Sequence, residues 1–183
     1  MAGPKPLTVK LDTIPPGGLQ LQLDTTQPAF QQILSEVATG KGSDQAGTAQ
    51  FSIELWPNRV DVKGQVAASL ELTCVRCLNP YTESIDHPIV HILLRHPEDH
   101  DSEEVELSRA DLDRSELTGD TIELGEILRE ELELALPMKP LCNADCKGIC
   151  AGCGAELNHE ECSCEPSVDP RWDALKGLKL GEA

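Results

Sequence analysis

Alternation of apolar and polar residues dominates the first half of the chain. Residues 7–14 and 18–24 alternate in this way, with the turn sequence Pro-Pro-Gly-Gly between them, and they predict a pair of strands. The alternation returns at residues 50–55 and, after a Pro-Asn-Arg turn, at residues 60–72. A last alternating stretch covers residues 81–94. This succession is typical of an antiparallel meander in which one face of each strand is buried.

Two stretches instead repeat their apolar residues with the period of an α-helix. The first lies within residues 25–40, with Thr26 as its predicted N-cap and Gly40 just past its end. Its apolar face consists of Phe30, Ile33, Leu34 and Val37. The second covers residues 122–136 and stops before Pro137, and we expect it to cover the sheet. Its apolar face consists of Leu124, Ile127, Leu128, Leu132 and Ala135.

The balance of charge narrows the range of partners. The 183 residues include 32 acidic and 15 basic side chains, so most faces of the molecule would repel a polyanion such as RNA. Residues 98–133, here called the acidic stretch, hold 15 acids and three arginines. We interpret this stretch either as a binding surface for a basic ligand or, preferably, as a solvated loop followed by the outer face of a helix. Aromatic residues make up only 3%, which argues against RNA binding by base stacking.

The compartment bears on the chemistry of the eight cysteines. The chain starts without a signal-peptide pattern and has no apolar run long enough to cross a bilayer, so we expect a cytoplasmic protein without a membrane partner. Persistent disulfides are rare in a reducing cytosol, and the cysteine density is below that of secreted disulfide scaffolds. Metal binding is therefore the first interpretation of the cysteines.

The spacing of the cysteines favours two zinc sites. A C-x2-C turn suits zinc because both thiolates can face one ion while backbone N–H groups donate to the first sulfur. In the preferred division, one site is Cys150, Cys153, Cys162 and Cys164, and the other is Cys74, Cys77, Cys142 and Cys146. The alternative joins Cys142, Cys146, Cys150 and Cys153, and completes Cys74 and Cys77 with Cys162 and Cys164. Either division gives two closed structural Zn²⁺ sites, with Arg76, Lys139 and Lys147 placed to offset their negative charge.

Other chemistries fit the pattern less well. The cysteine spacing from 142 to 153 does not match the ferredoxin run, and a strand, not a helix N-terminus, is predicted beside the pair at 74–77. A catalytic zinc keeps an open position, whereas eight cysteines divide evenly into two closed sites. His159 lies between two cysteines and could replace one of them, but an exposed position is the preferred interpretation.

The remaining histidines and carboxylates give no catalytic pattern. His96 and His100 are predicted to lie in a loop, and His87 and His91 in the sheet. No phosphate-binding, dinucleotide-binding, serine-nucleophile or H-E-x-x-H motif occurs, and no carboxylate can be nominated as an acid or base. We therefore expect that the protein is not an enzyme.

Several of these stretches together resemble one protein family. They are "CVRCL" at the end of the meander, the acidic helix "GEILREELELALPMKPLC", "CKGICAGCGAELN" with "CSC", and the closing "DPRWDALKGLK". From about residue 50 onward the chain resembles the YceD family, the large ribosomal RNA subunit accumulation proteins. The resemblance implies a non-enzymatic accessory role in the production, processing or stability of large-subunit ribosomal RNA. It also implies that metal supports the fold and is not chemically indispensable, since some family members lack most of the cysteines.

The resemblance also implies a link to a small basic protein of the large ribosomal subunit. Because an acidic molecule binds bare RNA poorly, we hypothesise that the chain holds a basic ribosomal protein or another assembly factor until RNA displaces it. Any weak or indirect contact with ribosomal RNA is expected at the one appreciable basic cluster. That cluster consists of Lys139, Lys147, Arg171, Lys176 and Lys179. The alternative function is that of a zinc-dependent redox-sensing or chaperone-like protein.

The predicted fold class is α+β. It comprises a mainly antiparallel sheet, one or two covering helices and a Cys-rich zinc-binding C-terminal segment. We divide the chain into an α+β domain (1–138), a zinc-binding Cys-rich segment packed on it (139–165) and a C-terminal helical tail (166–183).

Overall fold

Alternating strands and two amphipathic helices build most of the molecule. The structure is a computed structural model of the chain and describes residues 6–40, 45–95, 114–164 and 171. In chain order, the described elements are β1 (Val9–Lys10), a 3-10 helix (Leu11–Thr13), β2 (Leu19–Asp24), α1 (Pro28–Val37), β3 (Ala46–Leu55), β4 (Arg59–Thr73), β5 (Pro80–Leu94), β6 (Arg114–Glu116), β7 (Thr121–Ile122) and α2 (Leu124–Ala135).

The main sheet has five strands in the order β2-β3-β4-β5-β6. Each neighbouring pair is antiparallel except β5 and β6, which run parallel. The long strands β4 and β5 are paired from Arg59 with Leu94 to Thr73 with Pro80, so the connection between them lies at one end of the sheet. The predicted mainly antiparallel α+β fold is confirmed.

The core lies between one face of the sheet and the two helices. On β5, Ile85, Ile89 and Leu93 are buried at every fourth position, as expected for residues on one face of a strand. Helix α2 lies against β5 and against α1, and α1 also contacts β2. The largest side chains that are fully buried are Phe30, Leu34, Phe51, Val60, Ile53, Leu70, Leu72, Ile89, Ile122, Leu124, Leu128 and Leu132. Neither helix in the described part of the chain is long and apolar enough to span a lipid bilayer.

The predicted pairing of the first two strands is wrong, although the second of them is present as β2. Only Val9–Lys10 of residues 7–14 forms a strand, and it pairs with β7 instead of β2. The chain then turns into the 3-10 helix, where the N–H of Leu11 donates to the carbonyl of Asp120 over 2.9 Å. The alternation of apolar residues reflects burial of this segment in the core, which a short strand and a turn achieve as well as a long strand.

The predicted N-cap of the first helix is also wrong. Gln27 is the N-cap of α1 and Pro28 begins the helix, while both the N–H and the hydroxyl of Thr26 donate to the carboxylate of Asp24. The Asp24 carboxylate thus forms a turn with the residue two positions ahead and orients the Thr26 side chain toward itself, and α1 has no side-chain cap. The helix ends at Val37, so Gly40 lies three residues past it.

The second helix is shorter than predicted. Residues 121–122 belong to β7, where Ile122 pairs with Val9, and α2 begins only at Leu124. Ile122 fits the helical period but is fully buried in a strand, so tertiary pairing overrode the local pattern.

Several predictions fall outside the described residues. They concern His96 and His100, residues 98–113 of the acidic stretch, and the helical tail at 166–183 apart from Arg171. The division of the chain into three units stays a prediction.

Candidate metal centres

Four cysteines from two distant parts of the chain meet at the end of the long strands. We call Cys74, Cys77, Cys142 and Cys146 cluster 1; their sulfur atoms all lie within 4.8 Å of one another. The Sγ atoms of Cys74 and Cys146 are 3.8 Å apart, and those of Cys77 and Cys142 are 3.7 Å apart. Four thiolates placed tetrahedrally at the usual Zn–S distance would be about 3.8 Å apart. The spacing therefore suits one tetrahedral ion and is too tight for a cluster of several iron atoms.

The β4–β5 connection supplies half of cluster 1. The N–H of Leu78 donates to the carbonyl of Cys74, and the N–H of Cys74 donates to the carbonyl of Asn79, each over 2.9 Å, which closes a tight turn. The N–H of Val75 donates to the carbonyl of Pro140, so the chain that follows α2 lies directly against this turn. Burial is nearly complete, since Cys74, Cys77 and Cys146 are 0%, 4% and 2% exposed.

Arg76 connects the two halves of cluster 1, the β4–β5 connection and the chain after α2, through hydrogen bonds. Its guanidinium Nη1 donates to the carbonyl of Cys146 over 2.8 Å, and its own carbonyl accepts from the N–H of Ile149 over 3.2 Å. Gly148 has a φ of +78°, and a Cβ there would lie 3.0 Å from the carbonyl oxygen of Arg76. Glycine is therefore required at this position both by the backbone conformation and by the close approach of the two chains.

The other four cysteines form a second cluster from one local segment. In cluster 2, defined as Cys150, Cys153, Cys162 and Cys164, the sulfur atoms again lie within 4.8 Å of one another. The Sγ of Cys162 is 3.2 Å from that of Cys150 and 3.5 Å from that of Cys153. Cys153 and Cys164 are exposed, unlike the ligands of cluster 1. The observed grouping is that of the preferred division, and none of the eight cysteines is in a disulfide.

Backbone N–H groups stabilise one thiolate in each cluster. The N–H of Cys77 lowers the pKa of Cys74 to about 6, and the N–H of Cys153 lowers the pKa of Cys150 to about 6. Burial raises the pKa of Cys142 to about 12, and the neighbouring sulfur of Cys162 raises the pKa of Cys164 to about 12. Each cluster thus contains one readily formed thiolate and at least one thiol whose ionisation is opposed by burial or by a neighbouring sulfur. A bound divalent cation would offset the negative charge and favour ionisation of the remaining thiols.

Asn158 is a site residue that the sequence did not predict. Its Nδ2 donates to the Sγ of Cys146 over 3.4 Å, and this hydrogen bond is the main reason why the pKa of Cys146 is lowered. Its Oδ1 accepts from the N–H of Lys147 over 2.8 Å. His159, by contrast, contacts Glu156 at 3.5 Å and belongs to neither cluster. An asparagine beside a cysteine-rich stretch gives no signal of its own, because only the folded chain brings it to a sulfur.

A second unpredicted group lies away from the cysteines. The carboxylate of Glu131 on α2 contacts the Nε2 of His87 at 2.9 Å and that of His91 at 2.8 Å, joining the helix to β5. Glu131 is 8% exposed. Both histidines are in the sheet, as predicted. His87 and His91 lie on the same face of β5 as the buried Ile89, and Glu131 lies on the apolar face of α2. The two periodicities in the sequence therefore indicated that these side chains face each other.

The fold and the clusters define an α+β protein with two four-cysteine clusters that can hold metal ions. The particular family follows from comparison with known proteins. The family model described as "Large ribosomal RNA subunit accumulation protein YceD" matches residues 62–179, a span that contains all eight cysteines, and the chain belongs to this family.

Individual relatives agree with this membership. An uncharacterized protein of Mycobacterium tuberculosis strain H37Rv is 32% identical over 117 residues, covering 62% of this chain and 53% of that protein. An uncharacterized protein of Mycobacterium leprae is 28% identical over 117 residues, covering 64% and 52%. The maize protein named "Large ribosomal RNA subunit accumulation protein YCED homolog 1, chloroplastic" is 24% identical over 143 residues, covering 66% and 49%. The chain spans about half the length of the curated relatives it matches. No solved structure matches it significantly.

Proposed function

We propose that this protein is a non-enzymatic accessory factor in ribosome biogenesis that supports the synthesis, processing or stability of large-subunit ribosomal RNA. The observation that carries the proposal is the family match over residues 62–179, since the family is named for the accumulation of that RNA. The plant relative bears the same name. Within this role, we propose that clusters 1 and 2 each hold one structural Zn²⁺.

The donor sets support a structural metal. Each cluster offers four sulfurs, which is the usual complete set for tetrahedral zinc, so no position is left for a water or substrate. In cluster 1 the ion would be ligated by the β4–β5 connection and by the chain after α2, and it would stabilise the contact between them. Elemental analysis of protein purified without added metal tests this point, with two zinc ions per chain as the expected result.

Charge supports a basic protein as the partner. With a formal net charge of −17, the molecule would attract a basic surface and repel the phosphates of RNA. The described part of the acidic stretch includes exposed glutamates along the outer face of α2, at Glu123, Glu126, Glu130 and Glu133. Of the basic cluster proposed for any weak contact with ribosomal RNA, the structure describes Lys139, Lys147 and Arg171, and all three are exposed.

Depletion of the protein in its native cell tests the main role. Gradient profiles of ribosomal subunits should show a reduced large-subunit peak and accumulated large-subunit RNA precursors, with the small-subunit peak less affected. Expression of the wild-type chain should restore the profile. A normal large-subunit peak after depletion would contradict the proposed role in ribosome biogenesis.

A capture experiment tests the partner. Immobilised protein should retain a basic ribosomal protein or an assembly factor at low salt and, more weakly, at physiological salt. Changing Glu123, Glu130 and Glu133 to glutamine should weaken capture, while the same change of charge at Asp12, Glu54 and Glu161 should not. Recovery of ribosomal RNA without any basic protein at both salt concentrations would contradict this partner.

The exposure of cluster 2 favours one second candidate, a zinc-dependent redox-sensing or chaperone-like role. Peroxide would oxidise two of its thiolates to a disulfide, be reduced to water and release the ion. Zinc retained by the protein after mild peroxide treatment would argue against this role.

A further inference from the structure

The segment that carries cluster 2 has no hydrophobic core. From Ile149 to Cys164 no residue is buried. The segment folds back on itself through an isolated bridge between Ile149 and Glu156, and through a 2.8 Å hydrogen bond from the N–H of Cys150 to the carbonyl of Ala155. Because so little apolar surface is buried, the folding of this segment depends mainly on its four sulfurs being held together.

This weakly supported segment nevertheless reaches the buried cluster. Asn158, which donates to the Sγ of Cys146, lies between the cluster 2 cysteines Cys153 and Cys162. The carboxylate of Glu156, in the same segment, accepts from the Nδ2 of Asn79 over 2.6 Å, and the carbonyl of Asn79 accepts from the N–H of Cys74. Two side chains held inside the cluster 2 loop therefore contact the surroundings of cluster 1.

One further described link between the two regions does not depend on cluster 2, whereas a second, from the N–H of Leu157 to the carbonyl of Gly148 over 2.9 Å, starts inside the cluster 2 loop. The hydrogen bond from the N–H of Ile149 to the carbonyl of Arg76 precedes the first cluster 2 cysteine in sequence. It can persist when the loop from Cys150 to Cys164 opens. The contacts of Asn158 and Glu156 depend on the closure of that loop, which acts together with the bridge between Ile149 and Glu156 to hold both residues in place.

We propose that the two metal sites are coupled: an ion in cluster 2 raises the affinity of cluster 1 for its ion by fixing Asn158 against the sulfur of Cys146. This inference rests on the proposed structural metals and adds a dependence between them. Hydrogen-bond partners of metal ligands change metal affinity about 10- to 100-fold when they are removed, and we expect a factor of this size. Because coupling is reciprocal, the ion in cluster 1 raises the affinity of cluster 2 by the same factor.

Cadmium-113 NMR with a competing chelator tests the coupling. Cadmium, like zinc, favours tetrahedral thiolate sites, and each cluster should give its own resonance. The wild type is compared with the double variant Cys153→Ser/Cys164→Ser, which removes cluster 2, with Asn158→Ala, and with the combination of the two. Glu160→Gln is the control, since it changes an exposed side chain of the same loop.

We expect the two changes to have non-additive effects on the cadmium affinity of cluster 1. Loss of cluster 2 and Asn158→Ala should each lower the cadmium affinity of cluster 1 about 10- to 100-fold, and combining them should add little. Glu160→Gln should leave it unchanged. Asn158→Asp keeps an acceptor for the N–H of Lys147 but loses the donor to sulfur, so it should weaken cluster 1 at least as much as alanine does.

Three results would overturn the coupling. They are an unchanged cluster 1 affinity after loss of cluster 2, a fully additive combination of the two changes, and a wild-type affinity in Asn158→Asp. In all three cases both wild-type resonances are present, so the proposed structural metals would stand. Absence of the cluster 1 resonance from wild-type protein would instead overturn the metal site itself and the coupling with it.

Discussion

Clusters 1 and 2 each consist of four cysteines, but the chain supports them in opposite ways. Cluster 1 joins residues about 70 positions apart in sequence, and three of its four cysteines are buried. Cluster 2 is formed within 15 consecutive residues, and two of its four cysteines are exposed. The comparison teaches that the same donor set can serve a long-range contact in one place and local folding in another. The contribution of a metal to stability therefore depends on what its ligands connect.

The largest effect is expected from Cys146→Ser. Cluster 1 should lose its ion, and the free energy of unfolding should fall by at least about 4 kcal/mol, the contribution of an ion present at a thousand times its dissociation constant. Urea unfolding at fixed free zinc, with zinc content measured in parallel, checks the expectation. Cys164→Ser is the matched control, and equal losses in the two variants would erase the difference between the clusters.

A smaller and local effect is expected from Cys164→Ser. Because no residue from 149 to 164 is buried, loss of cluster 2 should open this segment while the sheet stays folded. A glutamate-specific protease should then cleave after Glu160 and Glu161 at least tenfold faster than in wild type. The glutamates of α2 should stay protected, since that helix is packed on the core. Simultaneous cleavage in α2 would show that the two regions unfold together.

Glu131→Gln separates the stability of the core from that of the clusters. The variant keeps the shape of the side chain but loses the charge between His87 and His91, and hydrogen bonds to charged groups contribute about 1.5–3 kcal/mol. We expect a decrease of about that size in the free energy of unfolding, with two zinc ions still bound. Glu130→Gln, at the exposed neighbouring position, should have little effect. Loss of zinc from the Glu131 variant would contradict the independence of the core.

The smallest effect concerns acid stability at the surface between the two helices. Hydrogen bonds from Gln32 and from Arg129 hold the pKa of Glu36 below its usual value of 4.5. A lowered folded-state pKa means that the contribution is present above about pH 4.5 and is lost as the pH falls through the folded-state value. Glu36→Gln should therefore unfold more easily than wild type at neutral pH, with the difference shrinking below pH 4.5. Unfolding curves of the metal-free proteins at several pH values measure this; a constant difference would contradict it.

The local pattern predicted the long helices and strands because the apolar residues of each repeat with the period of that element. The alternation at Phe51 and Ile53 predicted β3, and the apolar face of Leu124 and Leu128 predicted α2. The pattern failed where a segment is short. Ile122 continues the helical period but pairs with Val9 in a two-residue ladder, and no local property of either residue distinguishes the two outcomes.

The amino-acid sequence by itself determined the chemistry of this protein: the number and spacing of its thiols, its strong negative charge and the two periodicities of its core. Tertiary structure decided which sulfurs meet, since the end of α2 must lie against the β4–β5 connection before Cys142 and Cys146 can reach Cys74 and Cys77. It also decided the placement of Asn158 on a sulfur. The physical reason is that hydrogen bonds and metal ligation act over about 3 Å, whereas the residues they join are far apart along the chain.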